Sequence, residues 1–246
     1  MSDKNDELGT AEVSDSAAAV IEGPIPEKRI RPIQRVFNTL DEMEDFAWSE
    51  LIRAACVARS EFHLPTVATL DADGLPTARV VTLRRVQRDH GWLQFHADLR
   101  SPKAQQTLAN PSLAWLFYSR RHSFQIRLQT RAVVHHQDDV ANEAWQGTEL
   151  MSRRCYMMPQ APGTTANEAT TGLPPEIQDE IPTEDQSREA YQNFSVVRAW
   201  VQSMDLYHIA WDRSRRAIFH YETSPDVSGS GHPSDKVCFE KCWLTP

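Results

Sequence analysis

The sequence has no apolar run approaching the roughly 18 residues that a membrane-crossing helix needs, and it is 40% hydrophobic and 24% charged. A soluble protein without membrane association is expected. The opening residues Met1-Ser2-Asp3-Lys4-Asn5-Asp6-Glu7 are acidic and lack an apolar core, so no secretory leader is read and a cytoplasmic location is expected. Four cysteines, Cys56, Cys155, Cys238 and Cys242, are too few and too widely spread for a disulfide framework. Cys238 and Cys242 stand four apart in a predicted strand, which would let both face one side. No further Cys/His pair at ligand spacing accompanies them, so no metal site is expected. The histidines show no triad or metal spacing either.

Charge is unevenly distributed. The whole chain carries a formal −8. Residues 1–27 hold seven acids against Lys4, and residues 160–190 hold seven against Arg188. Both stretches are polar and lack core-forming residues, so 1–27 reads as a disordered acidic arm and 160–190 as a flexible acidic insertion in a domain spanning 28–246. Between Arg79 and Arg131 the balance reverses, with ten Lys/Arg against two Asp. An anionic ligand is the natural partner for such a stretch. Its net charge and lack of an aromatic-studded basic face argue against nucleic acid.

Periodicity supplies the elements. Leu40–Arg59 is predicted as a helix packing across one end of a barrel, with Met43, Phe46, Ala47, Leu51, Ala54 and Ala55 available for burial. Strands are predicted at 66–70, 78–86, 92–95, 113–118 and 124–134, then at 204–211, 216–221 and 237–244. Asp71-Ala72-Asp73-Gly74 is a hairpin turn. Ser101-Pro102-Lys103 opens a helix that Asn110-Pro111 stops, with Ser101 as N-cap and Lys103 in a first turn that favours anions. Helical pieces follow from Asp138 through Trp145 and over Thr148–Met157. Gln125 stands in a strand otherwise reading Phe-x-Ile-x-Leu, where a buried amide needs a partner.

The order of these motifs resembles the FMN-binding split β-barrel proteins of the pyridoxamine 5′-phosphate oxidase family. They run as an arginine strand at Arg79-Val80-Val81-Thr82-Leu83-Arg84, a short strand with His96-Ala97, the Ser101-x-Lys103 helix start and the Gln125 strand. The fold implied is mainly β with flanking helices, an FMN-binding split β-barrel. The resemblance further implies that Arg79, Lys103 and Ser101 hold the FMN phosphate. Val80, Val81, Thr82, Arg84, His96 and Ala97 would line the cofactor, Gln125 would bond the flavin edge, and Arg216 would lie near it. Pro102 stands where the family commonly has Arg, which makes Arg100 an additional phosphate candidate. On one regular strand Arg79 and Arg84 would face opposite sides, so both could serve FMN only if a homodimer places the cofactor between subunits.

A substrate grip is less legible. Counting from Trp145 places Glu149 where the family has Arg, which would repel a phosphate, and Ser152 and Arg154 are the candidate substitutes. The resemblance implies an FMN-dependent oxidoreductase passing a hydride between a small substrate and flavin, with no catalytic side chain identified. Two alternatives stand beside it: a flavin-binding carrier or sensor without turnover, and a small phosphate-binding barrel without flavin.

Overall fold

The computed structural model describes residues 35–222 and 236–246, all within one compact unit, Pro32–Pro246. The acidic arm at 1–27 lies outside the described residues. Among the described residues no helix is long and apolar enough to cross a membrane, and no cluster of His, Cys, Asp and Glu is arranged to hold a metal.

The first element of the described residues is helix α1, Leu40–Cys56, where Thr39 and Glu42 form a reciprocal capping box. It ends three residues short of the predicted Arg59. Met43, Phe46, Ala47, Trp48, Leu51 and Ala54 are buried along one face, as the 3.6-residue period requires. Glu44 is buried with them and is not left unpaired: it accepts from the Tyr221 hydroxyl at 2.9 Å and from Lys236 Nζ at 3.0 Å.

Among the described residues nine antiparallel strands follow: β1 (Thr66–Leu70), β2 (Pro76–Val80), β3 (Arg85–Gln87), β4 (Trp92–Asp98), β5 (Ser112–Ser119), β6 (Phe124–His135), β7 (Phe194–His208), β8 (Arg215–Glu222) and β9 (Val237–Leu244). Helix α2 (Pro102–Ala109) joins β4 to β5, while α3 (Asp139–Gln146) and α4 (Leu150–Arg153) follow β6. The strands run in the order β2-β1-β5-β6-β7-β4-β3, with β8 and β9 added beside β7. β7 pairs with β6 along one edge, and on its other edge with β4 in its first half and β8 in its second. That divided edge splits the sheet.

The single strand predicted over 78–86 is broken. β2 ends at Val80, and 81–84 is an irregular bridge: the Val81 and Leu83 amides donate to the Pro65 and His63 carbonyls, and the Arg84 amide to the Gln94 carbonyl. These bonds link the β1 end of the sheet to β4 without closing the ladder. Val81 and Leu83 point into the core while Thr82 and Arg84 point out. The facing argument made for Arg79 and Arg84 assumed one regular strand, and this break removes that assumption.

Two bulges reset which side chains meet the core. Opposite Gln129/Thr130 the partner residues pass from Ser203 to Val201, so Gln202 is the extra residue in β7. Before it Val197, Ala199 and Val201 face the main core; after it Met204 and Leu206 do. In β9, Glu240 pairs with His220 but Cys238 with Tyr221, so Phe239 is bulged out. Cys238 therefore packs against the core beside Tyr221, and Cys242 lies opposite Ile218 on the outer face. The expectation that both thiols share a side fails because it assumed an unbroken period of two.

The Thr148–Met157 helix is shorter than predicted, reduced to α4 and a 3-10 turn at Arg154–Tyr156. Within 160–190 the chain makes short helical turns at Pro175–Ile177 and Glu184–Ser187, and Ile177, Ser187 and Ala190 are buried.

Candidate functional site

The residues singled out by sequence fall into three groups. The first lies under α2. Val67, Thr69, Thr77 and Arg79 share the inner side of the β1–β2 hairpin, because Val67 pairs with Arg79 and Thr69 with Thr77. The Arg79 guanidinium donates to Thr69 Oγ1 at 2.6 Å, Thr77 Oγ1 at 2.7 Å and Gln106 Oε1 at 3.1 Å. Every acceptor is neutral. The side chain of Lys103, half-buried in the first turn of α2, has no hydrogen bond or ion pair among the described residues. Burial, and then the charge of Arg79, lower its pKa. Two cations side by side without a counter-ion are costly unless an anion completes them. In the first turn of α2 Pro102 has no N–H and the Ala104 and Gln105 amides donate to the Ser101 carbonyl, which leaves the Lys103 amide as the donor at the helix start.

Ser101 occupies the N-cap position but does not cap through its side chain. It is buried, and its hydroxyl donates to the Asp98 carbonyl at 2.6 Å. Arg100 is equally committed: it pairs with Asp98 at 2.8 Å and donates to the Met158 carbonyl at 2.9 Å and the Pro159 carbonyl at 3.1 Å. It ties the start of the insertion to α2, and Gly163 there lies against the Pro102 ring. Arg100 is thus removed from the candidates for sharing a phosphate.

The second group surrounds a cavity of about 280 Å³ between the outer surface of β3–β4–β7 and α3. Arg84, Arg85, Gln94, His96, Glu143, Glu149 and Arg198 line it. Gln94 and His96 point there because they share one parity of β4, while Phe95 and Ala97 point into the core. Ala97 is therefore separated from His96 by the sheet. His96 is held neutral, its pKa lowered to about 3 by burial and by Arg84. Arg198 lies over the Trp92 ring at 4.2 Å and reaches Gln94 only at 3.4 Å. Sequence reading missed Gln94 and Arg198; an arginine amid the apolar run of β7 was the available signal.

The third group is on the outer sheet surface. Gln125 pairs across to Tyr118 and Tyr207, half-buried and facing away from the core. Arg216 forms a two-pronged pair with Asp205, at 3.2 and 2.9 Å, and Arg127 also bonds Asp205. Val80, 60% exposed, lies on this outer surface too. A groove of about 530 Å³ crosses this surface beside Ala68, Leu116, Arg127 and Asp205. Gln125 and Arg216 are thus on the opposite side of the sheet from Arg79. Ser152 and Arg154 do not line the cavity: Arg154 bonds the Gln178 carbonyl, and it is the buried Arg153 that stacks on Trp145 and binds the Thr148 and Trp145 carbonyls.

Comparison with known proteins places this arrangement. Residues 45–136 match the family model described as pyridoxamine 5′-phosphate oxidase, FMN-binding domain. The chain is 38% identical over 84 residues to a pyridoxine/pyridoxamine 5′-phosphate oxidase of Bordetella petrii, covering 34% of this chain and 38% of that protein. It is 26% identical over 130 residues to an Arabidopsis thaliana protein, pyridoxine/pyridoxamine 5′-phosphate oxidase 2, covering 49% and 65%. The matches to bacterial oxidases thus span about two fifths of those relatives' length. A pyridoxamine 5′-phosphate oxidase-related, FMN-binding protein of Nostoc punctiforme shares the fold with a TM-score of 0.60 at 18% identity, covering 82% of this chain and 96% of its own. PhzG of Burkholderia lata, solved with tetrahydrophenazine-1-carboxylic acid, does so at 0.59 and 17%, covering 88% and 100%. The fold is the split barrel expected from the sequence, and residues 45–136 are similar to the FMN-binding domain of pyridoxamine 5′-phosphate oxidases.

Proposed function

We propose that the protein binds FMN and works as an oxidoreductase passing a hydride between a small substrate and the flavin. The observation carrying this reading is the pair Arg79 and Lys103. Both are partly buried and neither has an anionic partner among the described residues, as a phosphate seat requires. In this reading these two side chains and the Lys103 amide hold the phosphate, while Gln106, Thr69 and Thr77 aim Arg79. The inward Ser101 hydroxyl supports the turn rather than donating to the ligand.

FMN, once bound, supplies the hydride-accepting ring. The chain's own residues then orient and polarise. Thr82 and Arg84 project from the bridge, and His96 presents a neutral imidazole from β4. A cation at Arg84 favours the anionic form of a reduced ring. Gln125, Arg216 and His96 lie on the outer side of the sheet, opposite Arg79, so they serve the cofactor whose phosphate Arg79 holds only across a subunit interface. This supports a homodimer with FMN between subunits. The groove with Leu116, and Tyr118 on the same outer surface, offers the apolar area for it.

The test is an absorbance and binding titration of the full chain with FMN, and of Arg79→Ala and Lys103→Ala. Saturable uptake with a flavin band is expected. Either substitution should weaken it on the order of a hundredfold, since each removes one partner of a buried charged pair. Unchanged affinity in both variants would refute the phosphate seat, and no FMN uptake at all would refute the reading. Bleaching of the band by a reduced substrate distinguishes the oxidoreductase from a carrier.

A further inference from the structure

We infer that the cavity beside α3 selects a substrate with one carboxylate and a hydrogen-bond-donating group such as an amine, and rejects phosphate esters. This inference rests on the proposed function in taking the cavity as the substrate side of the flavin site.

The argument is one of charge and geometry. Three arginines and two glutamates line the cavity, and His96 is neutral, which leaves one surplus positive charge. Arg85 is already paired with Glu143 at 3.0 Å. Arg84 has no hydrogen bond or ion pair on its side chain among the described residues. Arg198 has a buried Nε without a partner and only the long contact to Gln94. These two are the donors left for a ligand, Arg84 exposed to solvent and Arg198 with its Nε buried. The Arg198 guanidinium, its Cζ 4.2 Å from the Trp92 ring centroid, has a planar fork of donors of the kind that pairs with a carboxylate. Glu149, at the start of α4, has no side-chain partner among the described residues and offers an acceptor on the same wall. A carboxylate matches the single surplus charge, and an amine or hydroxyl matches Glu149. A phosphate ester carries about −1.5 to −2 at neutral pH and would meet both glutamates with insufficient positive charge to offset it. The volume of about 280 Å³ suits a molecule of one small ring.

The test is calorimetric titration of the full chain, FMN-loaded and FMN-free, with 2-aminobenzoate, aniline and phenyl phosphate. In the FMN-loaded protein 2-aminobenzoate is expected to bind about tenfold or more tightly than either of the others. Arg198→Gln should lose about tenfold or more of that affinity while FMN affinity stays unchanged. Because Arg198 also covers Trp92, the exposed Glu149→Gln is the second variant. It should fold normally, raise phenyl phosphate affinity several-fold (roughly, from loss of one like charge) and weaken 2-aminobenzoate. Phenyl phosphate binding as tightly as 2-aminobenzoate, no binding of 2-aminobenzoate to FMN-loaded protein, or indifference to both substitutions would overturn the inference. Failure of FMN uptake with 2-aminobenzoate still bound to the FMN-free chain would instead overturn the proposed function and leave the cavity's selectivity standing.

Discussion

The seat under α2 and the cavity beside α3 are both rich in cations, yet they are built on opposite plans. Under α2, Arg79 is surrounded by hydroxyl and amide oxygens and Lys103 by nothing charged that pairs with it. In the cavity, arginines alternate with glutamates, and one pair is already closed. A site with uncompensated charge waits for a multiply charged anion; one with interleaved charge discriminates among ligands by pattern. The contrast shows why a count of basic residues over 79–131 points to an anion without saying how many sites it serves.

Three experiments sharpen or break that contrast. The largest effect is expected from Arg79→Ala. It should lower FMN affinity on the order of a hundredfold and leave 2-aminobenzoate binding to the FMN-free chain unaltered. Parallel loss of both would show that the two places are one site. Next comes Gln106→Leu, which removes the amide oxygen shared by Arg79, Thr69 and Thr77. FMN binding should weaken about tenfold through misdirection of Arg79, and Gln106→Glu, which neutralises the arginine, should be worse. A Glu variant binding FMN as well as wild type would refute this positioning role.

The smallest effect concerns His96. Its folded pKa, lowered by burial and Arg84 to about 3 from the ordinary 6.5, means that the unfolded chain binds the proton first as pH falls. The contribution of neutral His96 to stability is therefore complete above about 6.5 and is lost as pH drops toward 3. Denaturant unfolding at several pH values should show a shallower dependence in His96→Gln over that window, by about one proton at most. The same-signed contributions of His122 and His208 should persist in the variant. An unchanged slope would indicate that His96 is charged in the folded protein and would alter the cavity's charge balance.

Most strands and the two flanking helices were legible because alternation and capping are local signals. Thr39 to Glu42 and Asn110-Pro111 bracket helices by chemistry that acts within a few residues. The break after Val80 was not legible, since Val81, Thr82 and Leu83 read as strand formers. Only their hydrogen bonds to His63, Pro65 and Gln94, distant in sequence, divert them. The inward turn of Ser101 was hidden for the same reason: a Ser before Pro-Lys looks like a cap whether its hydroxyl points forward or back. The first half of β7 was not predicted as a strand, and with it went Arg198, whose role depends on Trp92 and Gln94 from β4. Gln125 was placed correctly in a strand, but a strand residue's own sequence does not reveal which side of the sheet it shares with Arg79.

The extra residue Gln202 acts on β7 like a half-period delay in a wave. It lets one continuous strand show Arg198 to the cavity and Asp205 to the outer surface while the core receives an uninterrupted apolar face. If Gln202 were instead taken up in a regular pleat, Asp205 would turn inward and Met204 and Leu206 to water, inverting the second half of the strand while leaving the first in phase. The bulge absorbs an odd residue that would otherwise exchange the inside and outside of half the sheet.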